Sequence, residues 1–321
     1  MKAKWYGIMA GAIVLLAAHV TGWAAEETVA TAVYSRIDNG YKREKAGDGS
    51  FTPEYYALSN GGRIDGTGRD NTVDRVTYPE VAEIAMRLLA RQNYHYAQSK
   101  EQAKLLLVLH WGATIAPNGA INQMNIAAVM SSGATLMALQ NGVSTPAAQG
   151  FAPHPAFATG GESAIADAAA QFDSQMVSLL ADNRVRDRLN EQNARVLGYV
   201  DDINESNDIR RWAGGGDRYN DLIADVEETR YYFVISAYDF PGLLKQEKKK
   251  LLWQTRVSVR SPGNAFDDSM AAMLKSASKY FGQNSGRLIR GEESKGRVEF
   301  GDLKFLGEAK EREKSPAKEN K

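Results

Sequence analysis

Two stretches in the last third of the chain read as paired β-strands, and they constrain the fold more than any other feature. Tyr231–Tyr238 (YYFVISAY) is rich in the aromatic and β-branched residues that favour strands. Beyond a charged turn, Lys245–Lys250, the stretch Leu251–Arg260 (LLWQTRVSVR) alternates. Leu251, Trp253, Val257 and Val259 lie on one face of it, and Gln254, Arg256, Ser258 and Arg260 on the other. This pattern predicts an antiparallel pair with one buried and one solvated face.

Further elements follow from capping and periodicity. Thr77 and Glu80 have capping-box spacing ahead of an apolar stripe, which predicts a helix over residues 78–93. A second helix is expected over 266–282, with Asn264 as its cap. Val29–Ile37 alternates as a strand does, and Leu105–Trp111 (LLLVLHW) is typical of a strand buried on both faces.

These elements together predict an α+β fold. We expect a mixed or antiparallel sheet of four to six strands packed on the helices 78–93 and 266–282. Val298–Phe305 is expected to add one of the strands. The residues from 38 to 76 are rich in Gly, Asp, Asn and Arg and are expected to form turns and loops.

A long block without charged residues interrupts this pattern. No Asp, Glu, Lys or Arg occurs from Leu105 through Gly161, and Ala120–Leu139 is small, apolar and dotted with Met. A buried insertion, a flexible envelope linker and a weakly membrane-associating helix all fit this composition. The amides of Asn122, Gln123 and Asn125 are costly in hydrocarbon, which favours the soluble insertion.

The charge-free block and the residues after it are expected to form a largely helical insertion at about 112–228. Helical spacing of apolar residues continues through Ala164–Val200, where Asn183 is a candidate break.

The first residues read as a cleavable export signal. Lys2 and Lys4 precede the uncharged apolar run Gly7–Val20, and Gly22-Trp23-Ala24 fits a cut after Ala24. The alternative is an uncleaved anchor, for which the run is short of the roughly 20 residues that a span needs. We therefore expect an exported, periplasmic protein with one α+β domain over 25–306. The charged residues 307–321 are expected to be a disordered tail.

Composition excludes several classes of partner and site. There is no cysteine, so a lipoprotein anchor, disulfides and thiolate metal sites are excluded. The chain has 39 basic and 39 acidic residues. Loss of Lys2 and Lys4 with the signal leaves 37 against 39, a net charge of −2. So weak a field does not attract nucleic acid, and no nucleic-acid partner is expected.

No motif for catalysis, cofactor binding or metal binding stands out. His95, His110 and His154 lack metal-ligand spacing, and we interpret each as a core or surface histidine. Neither a nucleophile elbow nor a phosphate-binding loop occurs. Gly66 and Gly68 begin a dinucleotide-type pattern whose third glycine is missing. We expect no catalytic residues, no metal ligands and no cofactor.

Several acidic residues are candidates for a site. Asp65, Asp70, Asn71 and Asp74 offer calcium-type oxygens in a glycine-rich loop, but their spacing is not that of an EF-hand, which favours an ordinary solvated loop. The adjacent acids fit solvated or helix-start positions. They are Asp201 and Asp202; Asp225, Glu227 and Glu228; and Asp267 and Asp268. If the fold binds a ligand, Arg256, Arg260 and the loop 61–74 are the surfaces expected to contact it.

Two segments resemble a known group of proteins. The string PEVAEIAMRLLARQNYHYAQSKEQAKLLLVLHWG is similar to a pattern in exported or lipoprotein domains of unknown function from Gram-negative bacteria. In that pattern a helix ends at Asn93-Tyr94 and a strand opens at Ala103-Lys104-Leu105-Leu106. KKKLLWQTRVSV resembles their hairpin, with Leu252-Trp253 as its apolar-Trp pair. The likeness spans about 75–115 and 228–285 and implies an α+β fold and no site residues. Lys104 departs from it, since an acidic residue is usual there.

The functional expectation is a periplasmic protein that binds or supports another envelope component without catalysis. One alternative is a periplasmic hydrolase whose acids are brought together only by the fold; another is membrane association through residues 120–139. Two acids facing each other across a deep cleft would favour the hydrolase. A filled interior with an exposed apolar patch on the insertion would favour the binding protein.

Overall fold

A mixed seven-stranded sheet with helices on both faces forms the body of the protein. The computed structural model describes residues 27–148, 155–213, 216–246 and 248–295. The strands are β1 (Thr28–Ile37), β2 (Glu54–Gly62), β3 (Tyr94–Tyr96), β4 (Leu105–Ala113), β5 (Arg230–Asp239), β6 (Leu251–Arg260) and β7 (Ile289–Ser294). Their order in the sheet is β3-β2-β4-β5-β6-β1-β7. The α+β prediction is confirmed, with seven strands rather than the four to six expected.

The sheet combines a parallel and an antiparallel part. β2 runs parallel to both β3 and β4, and β4, β5, β6, β1 and β7 pair antiparallel in that order. Since parallel neighbours need a crossover, the chain passes from β2 to β3 and β4 through two helices. These are α1 (Asn71–Asp74) and α2 (Tyr78–Ala90). The expectation of turns alone over 38–76 was wrong, because β2 and α1 lie there.

One face of the sheet packs on α1, α2 and α8 (Phe266–Ser278). Trp253 of β6 is fully buried there, with its ring 5.9 Å from both the Tyr94 and Phe281 rings. Phe266 at the start of α8 lies 5.1 Å from Phe233 of β5, ring centre to ring centre. Apolar residues from the central strands thus meet these three helices in one core.

The opposite face is covered as well. Tyr34, Tyr232 and Val234 pack against residues of three helices on that side. These helices are α4 (Pro155–Leu197), α5 (Val200–Ala213) and α6 (Asp217–Glu227). The prediction that the face carrying Arg256 is solvated was wrong, because Arg256 lies beneath Gly198 at the end of α4. Burial, together with the nearby charge of Arg36, lowers the pKa of Arg256 to about 10. Arg260, at the end of β6, is exposed.

The two predicted helices form but end earlier than expected. At the start of α2 the backbone N–H of Thr77 donates to the Glu80 carboxylate at 2.7 Å, which confirms the capping signal. α2 ends at Ala90 and α8 at Ser278, rather than at 93 and 282. Asn264 is not the cap of α8; Ala265 occupies that position, and the Asn264 amide donates to the Arg260 carbonyl at 2.9 Å.

In the described part of the segment between β4 and β5, where the helical insertion was expected, the chain forms four helices. The first, α3 (Gly119–Ala148), runs antiparallel to α4, and we call this pair the arm. The Asn122 amide sets its register by donating to Asp182 at 2.8 Å and Asn183 at 2.9 Å. Asn183 does not break α4, which is continuous. The short helix α7 (Phe240–Gln246) lies between β5 and β6 and overlaps the first two residues of the predicted charged turn, Lys245–Lys250.

The C-terminal part of α4 fastens the arm to the body. Arg186 binds Glu227 through two hydrogen bonds of 2.7 Å. The Asn193 amide is buried and donates to the carbonyls of Ile115 and Val226, both at 2.8 Å. Within the described ranges, no helix combines the length and the apolar character required to cross a bilayer.

Candidate functional site: a charged groove and the arm

Two adjoining hollows form a groove beside α6 and β7. The larger, of about 720 Å³, lies between α6 and the ends of β5 and β6. The smaller, of about 420 Å³, lies between α6 and the start of β7. They share Asp221 and Arg290, and the lining of each carries both acidic side chains and arginines. The groove brings together the predicted acids Asp225, Glu227 and Glu228 with arginines that are distant in sequence.

Asp225 is the centre of an ion-pair network in this groove. It accepts from Arg230 at 3.0 Å and from Arg290 at 2.6 Å, and the Tyr199 hydroxyl donates to it at 3.1 Å. Arg230 is 3% exposed, so this carboxylate neutralises a buried cation. Burial raises the pKa of Tyr199 to about 12, so its phenol stays protonated as the donor.

Two further acids of the larger hollow, Glu227 and Glu228, also pair with arginines. Glu228 binds Arg260 through two contacts of 2.5 Å, the bidentate geometry that guanidinium and carboxylate favour. Glu227 binds Arg186 and accepts from the Asn190 amide at 2.8 Å. Burial alone would raise the pKa of Glu227, but the hydrogen bonds from Arg186 and Asn190 outweigh burial and hold that pKa below its usual value.

The ion pairs between these acids and arginines determine which chemical roles the acids can have. A general acid needs a carboxyl group that stays protonated near neutral pH, and hydrogen bonds from an arginine have the opposite effect. Asp221 and Arg287 line the hollows without an ion-pair partner in the part of the chain that the structure describes. The groove is therefore suited to binding charged groups.

The predicted loop 61–74 is built into the fold. Gly68 donates its N–H to the Ala113 carbonyl at 2.7 Å, and the Gln192 amide of α4 donates to the Asp65 carbonyl at 3.1 Å. Asp70 caps α1 by accepting from Thr72 at 2.8 Å. Among the described residues, no group of three or more His, Asp or Glu is placed to hold a metal ion.

The two histidines in the described part of the chain, His95 and His110, lie on different strands and do not line the groove. His110 of β4 lies so close to Gly61 of β2 that a methyl group on Gly61 would overlap its ring at 2.4 Å. Burial lowers the pKa of His110, so its neutral form is favoured. The ring of His95 in β3 lies 5.9 Å from the ring of Tyr55. His154 falls outside the described residues, as do residues 1–26 with the predicted signal, Val298–Phe305 and the tail 307–321.

Three of the four remaining adjacent acids also have structural partners. Asp201 accepts from the Tyr34 hydroxyl, and burial together with this bond raises the pKa of Tyr34 to about 12. Asp202 is buried, pairs with Arg218 and accepts from the Leu288 backbone N–H at 2.8 Å. Asp267 lies 3.5 Å from Arg75.

The arm presents the second candidate surface. Of the eleven large hydrophobic side chains that are exposed in the described part of the chain, eight lie on α3 or α4. They are Ile121, Met124, Ile126, Met130, Met137, Val177, Leu180 and Val185. Met130 is 70% exposed and Val177 66%. Such a concentration of apolar surface on one projecting element is typical of an interaction site.

The sequence alone did not reveal this surface as one unit. The composition of Ala120–Leu139 drew attention to α3, but the contribution of α4 depends on which of its residues face α3. Phe172 packs against Gly133 of α3, and that contact leaves Val177 and Leu180 outside the helix pair. Neither the models of known protein families nor the curated proteins match this chain.

Proposed function

We propose that this is an exported periplasmic protein that binds or supports another component of the cell envelope, and that the arm is its binding surface. The observation that carries the proposal is the gathering of exposed apolar side chains on α3 and α4. Leaving them in water is unfavourable, so a partner that covers them gains their burial.

The body supports binding rather than catalysis. The sheet is packed on both faces, and three acids of the groove, Asp225, Glu227 and Glu228, pair with arginines. The export signal supports the periplasmic location. The hydrolase alternative requires two acids that are free of such pairing, whereas in the described part of the chain Asp221 is unpaired and Asp225, Glu227 and Glu228 are paired with arginines.

The test has two parts. Mass spectrometry of the native protein after cell fractionation should find a soluble periplasmic chain that begins at Ala25; an intact Met1 in the membrane fraction would overturn the export proposal. Chemical cross-linking in the periplasm should then join the native protein to one defined envelope protein.

Two variants assign the contact to the arm. Met130→Glu should abolish the cross-link because it places a charge on the apolar surface. Leu244→Glu is the matched control, since Leu244 is equally apolar, 56% exposed and located on α7 away from the arm. Equal cross-linking by the two variants would show that the arm is not the binding surface.

A further inference from the structure

The residues along one flank of α4 have the same sequence spacing from the N-terminal end as from the C-terminal end. Residues at matching distances from the two ends are also chemically complementary. Every residue of this flank is exposed, and successive members are three or four positions apart, which keeps them on one side of the helix. In order they are Glu162, Ala166, Ala170, Asp173, Val177, Leu180, Arg184, Asp187, Glu191 and Arg195. We call this set the α4 flank.

The spacing is symmetric about the point midway between Val177 and Leu180. An antiparallel copy of the helix, related by a two-fold axis through that point, places Val177 opposite Leu180. The same axis places Asp173 opposite Arg184 and Glu162 opposite Arg195. Its remaining pairs set an alanine opposite an acid, Ala166 with Glu191 and Ala170 with Asp187. No pair joins like charges, and the central pair is apolar.

The charged residues nearest the centre are available for such a contact. Asp173 and Arg184 form no ion pair within the described ranges, and both side chains face solvent. Arg195 pairs with Glu191 on its own helix at the surface, an exchangeable contact of small energy. A second copy would give Asp173 and Arg184 the partners that the single chain lacks.

The length of the flank is sufficient for a specific interface. Glu162 to Arg195 spans about 50 Å at a rise of about 1.5 Å per residue. A strip of that length and about 12 Å width covers about 600 Å² on each copy, or about 1,200 Å² together, the lower end for stable interfaces. Ile126 and Met130 extend the apolar part. Each residue of an α-helix is turned about 100° from the one before it. Counted in this way from the side of each helix that contacts the other, Ile126 and Met130 fall on the same side of the arm as Leu180.

We propose that two copies of this protein pair through the α4 flank, antiparallel, with Val177 and Leu180 at the centre and Asp173 against Arg184 on either side. This deepens the proposed function, on which it rests for the role of the arm, by naming a second copy of the chain as one partner. The neutral α3 beside the flank allows this approach, since it brings no charge from residue 119 to residue 148.

Charge exchange tests the pairing. The mature chain is followed by sedimentation equilibrium at low salt, where the dissociation constant of the dimer is measured. In the symmetric dimer each copy's residue 173 faces residue 184 of the other copy. Asp173→Arg therefore creates two arginine–arginine pairs, and Arg184→Asp creates two aspartate–aspartate pairs. Each single variant should weaken the dimer about tenfold or more, and the double variant D173R/R184D should return it to within about threefold of the wild type. Asp167→Arg is the control, since Asp167 is exposed on α4 outside the flank and should leave the dissociation constant unchanged.

Every outcome bears on the proposal. A monomeric wild-type chain at about 100 μM, far above the dissociation constants of specific dimers, overturns it. So does a dimer that neither single variant weakens, or one that the double variant fails to restore. A monomer that still cross-links to a different envelope protein, or that binds vesicles, overturns self-pairing while leaving the proposed function intact. Restoration of the dimer by D173R/R184D, without any envelope partner, supports the pairing alone.

Discussion

Replacing Gly198 by alanine should destabilise the protein through two separable effects. Gly198 ends α4 with φ +82°, a left-handed conformation in which its N–H and that of Tyr199 both donate to the Ala194 carbonyl at 2.9 Å. An added Cβ would lie 2.9 Å from the Tyr34 Cβ and 3.0 Å from the Arg256 Cδ. The substitution therefore strains the backbone and also overlaps the side chains that lie between α4 and the sheet.

A substitution at a second glycine, Gly263, separates the cost of backbone strain from the cost of side-chain overlap. Forcing alanine into the left-handed region costs about 1–2 kcal/mol. Overlap in a packed site adds about 1–3 kcal/mol, so Gly198→Ala should lower the free energy of unfolding by about 2–5 kcal/mol. Gly263 has φ +78° and no atom within 4 Å of the position that an added methyl group would occupy, so Gly263→Ala should show the backbone effect alone.

Urea denaturation followed by circular dichroism gives both values under one set of conditions. The difference between the two variants should be about 1–3 kcal/mol, and the loss of unfolded-chain entropy on replacing glycine cancels because both variants share it. Equal destabilisation by the two substitutions would refute the close packing of Tyr34 and Arg256 around Gly198.

Two other predictions concern the groove. Asp225→Asn should lower the free energy of unfolding by about 3 kcal/mol because it leaves the buried Arg230 uncompensated, whereas Glu228→Gln should cost less than about 1 kcal/mol since its partner Arg260 is exposed. Thermal denaturation of both variants checks this, and equal losses would contradict it. The folded pKa of Glu227 lies below its unfolded value, so its contribution to stability is complete above about pH 4.3 and is lost as the pH falls through the folded pKa. The stability difference between wild type and Glu227→Gln should therefore be largest near neutral pH and shrink towards pH 3; a difference that does not change with pH would argue against the ion pair with Arg186.

Local patterns predicted the central elements of the fold well. β6 has the predicted bounds, Leu251–Arg260, and β1, β4 and β5 contain the predicted strands. The alternation in β6 correctly predicted which residues share a face of the strand. The prediction that the face with Arg256 is exposed to solvent was wrong. Ser258, on the face predicted to be solvated, is buried because α4, α5 and α6 from an earlier part of the chain cover that face. Periodicity reports which residues share a face, and only tertiary packing decides whether that face meets water.

The strands that the sequence did not reveal are β2, β3 and β7. β3 has three residues and β7 forms one edge of the sheet, so neither carries a full apolar repeat. β2 (EYYALSNGG) ends in residues typical of turns, which hid it within a glycine-rich region. The groove escaped prediction for another reason: Asp225 and Arg290 are 65 positions apart, and no local pattern reports such a pair.

The arm, α5 and α6 are inserted between the paired strands β4 and β5, and this position affects the order in which the protein folds. β4 and β5 pair directly at the centre of the sheet, and the Thr114 N–H donates to the Arg230 carbonyl at 2.9 Å although the two residues are 116 positions apart. Closing so long a loop before any part of it is ordered is slow, whereas two helices joined in sequence form from local contacts. If α3 and α4 assemble first, the flexible part of the chain between β4 and β5 is shorter when these two strands pair. The helical region is thus expected to speed the joining of the two central strands, and its folding should precede that of the sheet.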